Sequence, residues 1–254
     1  MLTSWQDVKC QHFYGKSYPN ITLTKDDIEC LHGRRSSFVV IDDQYKLVYI
    51  ENRKAASETI RMAMKNILGT QEKKCGIRNV SKSCSSFGRC TSSCLLESQY
   101  KNYFYFSFVR DPIEKFLSGL QVYIERKHPI IKNYTTYVLS AINSDRKIIG
   151  CTDQHVFSQA THLSAPFKNS NKMIPINFIG RTSHLVEDFT NMLFLLNKTT
   201  TIPQSVFSNF TEHLNKTYNK KLQSVIRKNL NHTRTTFVEK QIRQAFEQDV
   251  KCFT

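Results

Sequence analysis

The sequence predicts an α/β fold of three layers, in which a central parallel sheet is flanked by helices. Short β-branched and aromatic runs alternate with helical stretches along the chain, which is the pattern of a parallel sheet with helical crossovers. One run, at 102–109 (NYFYFSFV), is nearly continuous in aromatic residues, as expected of a strand buried on both faces. The 254 residues, 40% of them hydrophobic, suffice for a single α/β domain with a full core.

The first elements surround two strand-to-helix junctions. Runs at 38–41 and 46–51 predict two short strands or a hairpin, and the apolar spacing that follows predicts a helix over 59–68. The strand at 102–109 continues into Arg110-Asp111-Pro112. There, Asp111 can cap a helix that has proline at its first position and extends to about residue 125.

The second half of the chain predicts one more strand and three helices. The strand lies at 176–180, and the helix after it spans 183–196 with Ser183 as its cap. Two closing helices are expected at 215–229 and 235–250. Residues 1–37 are polar and irregular, so we expect a single domain, 1–254, with an irregular N-terminal segment.

Cysteine and glycosylation patterns favour the secretory pathway. The chain contains eight cysteines: Cys10, Cys30, Cys75, Cys84, Cys90, Cys94, Cys151 and Cys252. It also contains seven Asn-x-Ser/Thr triplets, which begin at Asn20, Asn79, Asn133, Asn197, Asn209, Asn215 and Asn231. Because disulfides and N-glycans both form in the secretory lumen, these patterns predict a protein of the secretory pathway. Chance triplets and reduced cytosolic thiols are the alternative.

A targeting or anchor segment is not apparent in the sequence. No apolar run approaches the ~20 residues needed to span a bilayer, and the first residues lack the pattern of a signal peptide. We therefore expect the lumenal part of a type II membrane protein, attached to its membrane only through an anchor absent from this chain.

Residues 70–100 form a cysteine-rich insertion. Four of the eight cysteines lie between Cys75 and Cys94, among Ser, Gly, Lys and Arg residues. This composition predicts a loop held by disulfides whose pairing the spacing leaves open. A zinc site is disfavoured because the stretch has neither a Cys-x-x-Cys pair nor a histidine.

A large positive charge points to an anionic partner. The chain has 36 Lys and Arg against 21 Asp and Glu, a formal net charge of +15. The excess is spread along the sequence without a compact basic tail, so a nucleic-acid-binding arm is not expected. In a lumenal protein, a polyanion such as an acidic polysaccharide is the expected partner.

The first strand-to-helix junction is RKAASET, from Arg53 to Thr59. Its small side chains allow backbone N–H groups to approach an anion, while Ser57 and Thr59 add hydroxyl donors and Lys54 adds a charge. The loop lacks the glycines of a Walker P-loop. A helix capped by chance with Ser57 explains this loop equally well when it is taken alone.

The second junction is FVRDPIEKFLSGL, which begins at Phe108. Arg110 leaves the strand end, and Ser118 follows eight residues later, about two helical turns above it. Arg110 and Ser118 can therefore reach the same anion. Alone, this junction is also explained by an ordinary helix cap and a surface arginine.

Together, the two junctions resemble those of the Golgi carbohydrate sulfotransferases of sulfotransferase family 2. The lysine loop follows one strand, and V-R-D-P-x-x-[RK]-x-x-S follows another. The resemblance implies a P-loop-NTPase-like sulfotransferase fold that binds 3′-phosphoadenosine 5′-phosphosulfate (PAPS), with no metal. It implies that the 5′-phosphosulfate lies against Arg53, Lys54, Ala55, Ala56, Ser57, Glu58 and Thr59, and the 3′-phosphate against Arg110 and Ser118.

Three further segments resemble the chondroitin-type and HNK-1-type branch of that family. Residues 153–159 (DQHVFSQ) resemble its D-x-H-x-x-x-Q, and residues 178–189 (FIGRTSHLVEDF) resemble its strand-then-helix segment. Residues 246–253 resemble its closing helix with D-x-x-x-F. The family-like core therefore covers about 46–253, and the resemblance implies a chondroitin-like glycan acceptor.

Three positions depart from the family pattern. Arg53 stands where proline is usual, and Lys115 replaces an arginine. Glu58 stands where the family prefers a hydroxyl, and a carboxylate near a phosphosulfate would repel it. If Glu58 instead points outward along the first turn of its helix, its charge is favourable there and binding survives.

Two residues are assigned to catalysis. Lys54 is expected to stabilise the charge that develops on the leaving oxygen, since a cation beside the anion-holding loop can do so. His155 is expected to be the base for the attacking hydroxyl, because imidazole titrates near neutral pH and the histidine lies in the family-like D-x-H-x-x-x-Q. His162 is the reserve candidate, and Asp153 could orient the imidazole.

Three other functions compete with this one. A P-loop-type phosphotransferase lacks support, since no G-x-x-x-x-G-K is present. A catalytically silent glycan-binding homologue is favoured only by Glu58. A nucleic-acid binder would fit the charge but would explain neither the triplets nor the paired junctions.

Overall fold

The computed structural model describes residues 8–9, 20–21, 38–68, 90–91, 100, 102–127, 130–143, 159, 163, 176–218, 225–247 and 249–250. The chain divides into two compact units. The sheet unit comprises Arg35–Val109 and Leu163–Lys221. The helical unit comprises Met1–Arg34, Arg110–His162 and Leu222–Thr254.

The strands are β1 Val8–Lys9, β2 Asn20–Ile21, β3 Phe38–Asp42, β4 Leu47–Ile50, β5 Cys90–Thr91, β6 Phe104–Val109 and β7 Phe178–Arg181. The α-helices are α1 Ser57–Leu68, α2 Pro112–Lys127, α3 Tyr134–Asn143, α4 Leu185–Asn197, α5 Gln204–Tyr218, α6 Val225–His232 and α7 Thr236–Ala245. A 3₁₀ turn, Thr182–His184, directly precedes α4.

The expected α/β fold with a central sheet of parallel strands is confirmed, and two antiparallel pairings at one side make the main sheet mixed. Its strand order is β5-β3-β4-β6-β7. Strands β4, β6 and β7 run parallel to one another, whereas β3 is antiparallel to both β4 and β5. Strands β3 and β4 form a hairpin, which was one of the two arrangements expected from the sequence. The turn between them is far too short for the crossover connection that parallel strands need.

An aromatic core joins one face of the sheet to α1, α4 and α5. Phe106 and Phe108 of β6 are fully buried, as is Tyr49 of β4. Phe189 of α4 stacks on Phe108 at 5.9 Å between ring centroids and lies 4.6 Å from Phe210 of α5. The alternate residues of β4 and β6 are buried too, so the expectation of strands buried on both faces is confirmed.

The core of the helical unit is formed by α2, α3, α6 and α7. Phe116 and Leu120 of α2 belong to the same buried cluster as Val138 of α3, Leu230 of α6 and Ile242 of α7. Among the described residues, no helix has both the length and the apolar character required to cross a membrane.

Three predicted helices agree with the structure at their starts. Helix α1 contains the expected 59–68 stretch, and α2 begins with Pro112 as its first residue. The Asp111 carboxylate accepts hydrogen bonds from the N–H groups of Ile113 and Glu114, both at 3.0 Å, which confirms it as the cap. Thr235 caps α7 by accepting from the Val238 N–H at 3.2 Å.

Other predicted helix boundaries were wrong. Ser183 is not a cap, because the 3₁₀ turn shifts the start of α4 to Leu185, and its N-cap residue, His184, makes no side-chain cap bond. The helix expected at 215–229 overlaps α5, which already begins at Gln204, and α6, which continues to His232; residues 219–224 lie outside the described residues. The apolar residues of α5 lie mostly before residue 215, while α3 was not expected at all.

Candidate functional site

The carboxyl ends of three parallel strands define one edge of the sheet, where ligands bind in open α/β sheets. Lys54 follows β4 by four residues, and Arg181 is the last residue of β7. Arg181 is paired in register with Val109, the last residue of β6. Arg110 comes directly after Val109 in the chain. A basic residue therefore ends or follows each of the three parallel strands.

Buried polar side chains tie these strand ends together. The Nδ2 group of Asn52 donates to the carbonyl oxygen of Phe108 at 2.9 Å, and the Ser107 hydroxyl donates to the carbonyl of Ile50 at 2.8 Å. Both Asn52 and Ser107 are 0% exposed. In this environment the bonds are costly to break, so the ends of β4 and β6 stay in one register.

The end of β7 is held in a similar way by α4. The Asp188 carboxylate accepts a hydrogen bond from the Arg181 N–H at 2.7 Å, and its Oδ2 lies 3.6 Å from the Arg181 Nε. Asp188 is 1% exposed, whereas the Arg181 side chain is 47% exposed. The arginine can therefore meet a ligand while its backbone is fixed.

The loop between β4 and α1 has an unusual backbone. Lys54 has φ 67° and Ala56 has φ 57°, in the left-handed region that costs a non-glycine residue about 1–2 kcal/mol. The N–H of Ala55 turns back to the carbonyl of Asn52 at 3.2 Å, and the carbonyl of Ala56 accepts the first helical bond, from Ile60, at 3.0 Å. Left-handed residues that alternate with right-handed ones are the backbone pattern in which successive N–H groups can face an anion.

This conformation explains how a loop without glycine can serve as an anion loop. In Walker-type loops, glycine usually occupies such positions, because it adopts positive φ without strain. Here Lys54 and Ala56 adopt it themselves. Strained residues of this kind concentrate at functional sites, which supports the functional interpretation of the loop over a helix start by chance.

The first turn of α1 follows this loop directly. Ser57 and Thr59 are half-buried there, whereas Glu58 is exposed. The outward position proposed for Glu58 is therefore confirmed. A carboxylate in the first helical turn is favoured by the helix dipole, and solvent screens it from any anion bound in the loop.

Arg110 is oriented by an ion pair at the start of α2. Its Nη2 group donates to the Glu114 carboxylate at 2.8 Å, and Arg234 binds the second oxygen of the same carboxylate. Arg234 also donates to Glu239 at 2.9 Å. Burial alone would raise the pKa of Glu114, but Arg110 and Arg234 together hold it below its ordinary value.

Ser118 lies on the same face of α2 as Glu114, one turn further on. It is half-buried. Lys115, in contrast, is 2% exposed. Lys115, which stands where the family usually has arginine, therefore lies in the interior of the helical unit. An ammonium group there cannot make the paired hydrogen bonds of a guanidinium group.

The described residues cover most, but not all, of the predicted site. Arg53 to Thr59 belong to the sheet unit, and Arg110 and Ser118 to the helical unit. The expected base His155, its reserve His162 and its partner Asp153 lie outside the described residues, as does most of the cysteine-rich insertion. Their assigned roles stay predictions.

Four further residues of the site were not expected from the sequence. They are Asn52, Gln159, Arg181 and Asp188. Gln159, Arg181 and Asp188 all lie within family-like segments, which was the available signal. Their roles, however, depend on contacts with residues that the segments do not contain.

The sequence was compared with models of known protein families. A model described as the sulfotransferase family matches residues 37–254. The chain belongs to the sulfotransferase family. A search of curated proteins and a search of solved structures found no match.

Membership of this family shows which reaction the protein catalyses. It is an enzyme that uses PAPS as its sulfuryl donor, and its mixed α/β sheet is consistent with the sulfotransferase fold. In the part of the chain that the structure describes, no group of three or more His, Cys, Asp or Glu side chains could hold a metal ion.

Proposed function

We propose that this sulfotransferase transfers the sulfuryl group of PAPS to a hydroxyl of an acidic glycan, with a chondroitin-like galactosaminoglycan as the acceptor. The observation that carries the donor half of the proposal is the loop from Arg53 to Ala56. Its two left-handed residues and its lysine follow a strand whose end is tied to β6 by Asn52. These features suit the 5′-phosphosulfate.

The 3′-phosphate is assigned to the second junction. Arg110 starts from the end of β6, and Ser118 lies two turns above it along α2. Because β4 and β6 are parallel neighbours, their two loops leave the same edge of the sheet. The assignment of one donor nucleotide to both loops, with its 5′-phosphosulfate at the first and its 3′-phosphate at the second, comes from the resemblance to the family.

The reaction is an in-line displacement at sulfur. The acceptor oxygen forms a bond to sulfur as the bond from sulfur to the 5′-phosphate oxygen breaks, and adenosine 3′,5′-bisphosphate leaves. Lys54 would stabilise the charge on that leaving oxygen. His155 would take the proton of the attacking hydroxyl.

The net charge supports an acidic acceptor. A formal charge of +15 attracts a polyanionic chain and raises its local concentration near the enzyme. Transfer to such an acceptor should slow as salt screens the attraction. The seven Asn-x-Ser/Thr triplets and eight cysteines support a glycosylated, disulfide-bonded protein of the Golgi lumen, anchored in the membrane by a segment outside this chain.

Transfer of radiolabelled sulfate tests this function. PAPS carrying labelled sulfate is incubated with desulfated chondroitin, desulfated heparan and a neutral glycan, and the products are analysed as disaccharides. We expect label on chondroitin, a rate that falls with salt, and no transfer to the neutral glycan. Label on heparan alone would overturn the acceptor assignment, and nucleotide binding without any transfer would favour a silent glycan-binding homologue.

Two substitutions test the site. Lys54→Ala should reduce kcat by about 10²–10³-fold, the usual effect of removing one group that stabilises a developing oxyanion. Lys198→Ala is the matched control, since Lys198 is exposed at the end of α4. His155→Ala should abolish turnover while binding of adenosine 3′,5′-bisphosphate is retained. Turnover above a few per cent of wild type would remove His155 from the role of base.

A further inference from the structure

A buried glutamine holds both backbone polar groups of Arg110. The Oε1 atom of Gln159 accepts a hydrogen bond from the Arg110 N–H at 2.8 Å, and its Nε2 group donates to the Arg110 carbonyl at 2.7 Å. Gln159 is 0% exposed. The side-chain amide of Gln159 thus makes the same two bonds to Arg110 that the backbone of a neighbouring β-strand would make. It fixes the peptide groups on both sides of Arg110.

The glutamine is itself held by a residue near the C-terminus. The Asp249 carboxylate accepts a hydrogen bond from the Gln159 N–H at 2.8 Å. Asp249 is 1% exposed and lies 90 positions away along the chain. A hydrogen bond donated to a charged acceptor inside the protein is among the stronger kinds, so it restrains the backbone from which the glutamine side chain extends.

These contacts leave the Arg110 guanidinium to be oriented separately. Its Nη2 group donates to Glu114, and the side chain is 13% exposed. The backbone of Arg110 is therefore fixed by one set of contacts and its side chain by another. An arginine whose planar guanidinium must meet a phosphate in one geometry needs both sets of contacts.

We propose that Gln159 and Asp249 are positioning residues for recognition of the donor's 3′-phosphate, acting through the backbone of Arg110. The proposal rests on the proposed function, which assigns the 3′-phosphate to Arg110. In this role both residues act through their bonds to the protein, and contact with the nucleotide is left to Arg110. They also account for two family-like segments, 153–159 and 246–253, whose sequences alone did not indicate what Gln159 and Asp249 do.

The test compares two nucleotides that differ only at the 3′ position. Calorimetric binding of adenosine 3′,5′-bisphosphate and of adenosine 5′-monophosphate is measured for the wild type and for Gln159→Met. Methionine is similar in size to glutamine and makes neither bond. Affinity for the bisphosphate should fall at least about tenfold, since two buried hydrogen bonds are lost, while affinity for the monophosphate stays within about threefold.

Two further variants separate positioning from stability. Gln121→Met is the matched control, because Gln121 lies on α2 in the same unit and its Nε2 group donates to Glu125 at 2.8 Å; both affinities should be unchanged. Asp249→Asn keeps an acceptor for the Gln159 N–H and should bind the bisphosphate more tightly than Asp249→Ala. If Gln159→Met does not fold, the comparison of Asp249→Asn with Asp249→Ala takes its place, because both variants leave the glutamine side chain intact.

The outcomes distinguish this inference from the proposed function. If Arg110→Ala does not reduce the preference for the bisphosphate, the assignment of Arg110 fails and the proposed function fails with it. If Arg110→Ala removes the preference but the Gln159 variant keeps it, only the positioning role is overturned. Equal weakening of both nucleotides by Gln159→Met would show a merely structural role and would also overturn it.

Discussion

At Gly180 of β7, one added methyl group should destabilise the sheet unit. A Cβ at residue 180 would lie 2.4, 2.7 and 2.8 Å from three ring atoms of Phe108. Ordinary contact begins near 3.4 Å, so the ring would have to move by about 1 Å. That ring is fully buried and packs on Phe189 at 5.9 Å, on Phe106 at 6.3 Å and on Phe178 at 6.4 Å, which blocks its retreat.

The cost of Gly180→Ala follows from two opposing effects. Overpacking a well-filled core costs about 1–3 kcal/mol, whereas replacing a strand glycine by alanine regains about 0.5–1 kcal/mol of backbone entropy. The closest approach of 2.4 Å places the overpacking cost in the upper half of its range, so we expect a net loss of about 1–2.5 kcal/mol in the free energy of unfolding, or about 2–10 °C in Tm for a chain of this size. Urea unfolding and thermal scans measure both quantities.

A double-mutant cycle tests the stated cause. Phe108→Leu removes the ring atoms nearest to the new methyl group, so the double variant should be more stable than the sum of the two single losses by about 1 kcal/mol. The pair Gly180→Ala and Phe116→Leu, in which the phenylalanine belongs to the helical unit, should be additive. A loss below about 0.5 kcal/mol for Gly180→Ala alone, or additivity with Phe108→Leu, would refute the reasoning.

Three further predictions concern the loops at the sheet edge. Asn52→Leu removes the buried hydrogen bond to the Phe108 carbonyl and should lower the free energy of unfolding by urea by about 1–3 kcal/mol. The control Asn66→Leu, on the exposed side of α1, should change it by no more than about 0.5 kcal/mol. Equal stabilities of the two variants would show that the bond from Asn52 does not stabilise the sheet edge. Because folding lowers the pKa of Glu114, its ionised form stabilises the protein above its ordinary value of 4.5, and this is lost as pH falls through the folded value. Glu114→Gln should therefore be less stable than wild type at pH 7, with a difference that shrinks under acid; a difference independent of pH would contradict this. Ala56→Gly should gain up to about 1 kcal/mol of stability, because glycine adopts the left-handed backbone without strain; a loss would show that the loop is not strained there.

Local patterns in the sequence were enough to predict the two strand-to-helix junctions. The aromatic run of β6, the Asp111 cap with proline after it, and the small-residue loop after β4 each depend on residues within about one helical turn of one another. Such signals act through backbone preferences and periodicity, so they can be recognised without knowing the fold. They predicted the candidate anion loop and Arg110 correctly as features of strand ends.

Contacts between distant parts of the chain decided the rest. The bond from Asn52 to Phe108 spans 56 positions and the bond from Gln159 to Asp249 spans 90, so no local pattern indicates them. The antiparallel β3, the positive φ of Lys54 and the burial of Lys115 likewise result from packing. Buried polar groups must find partners wherever the fold places them. For that reason the residue types of the anion loops can be predicted from the sequence, while the supports that hold them depend on the tertiary structure.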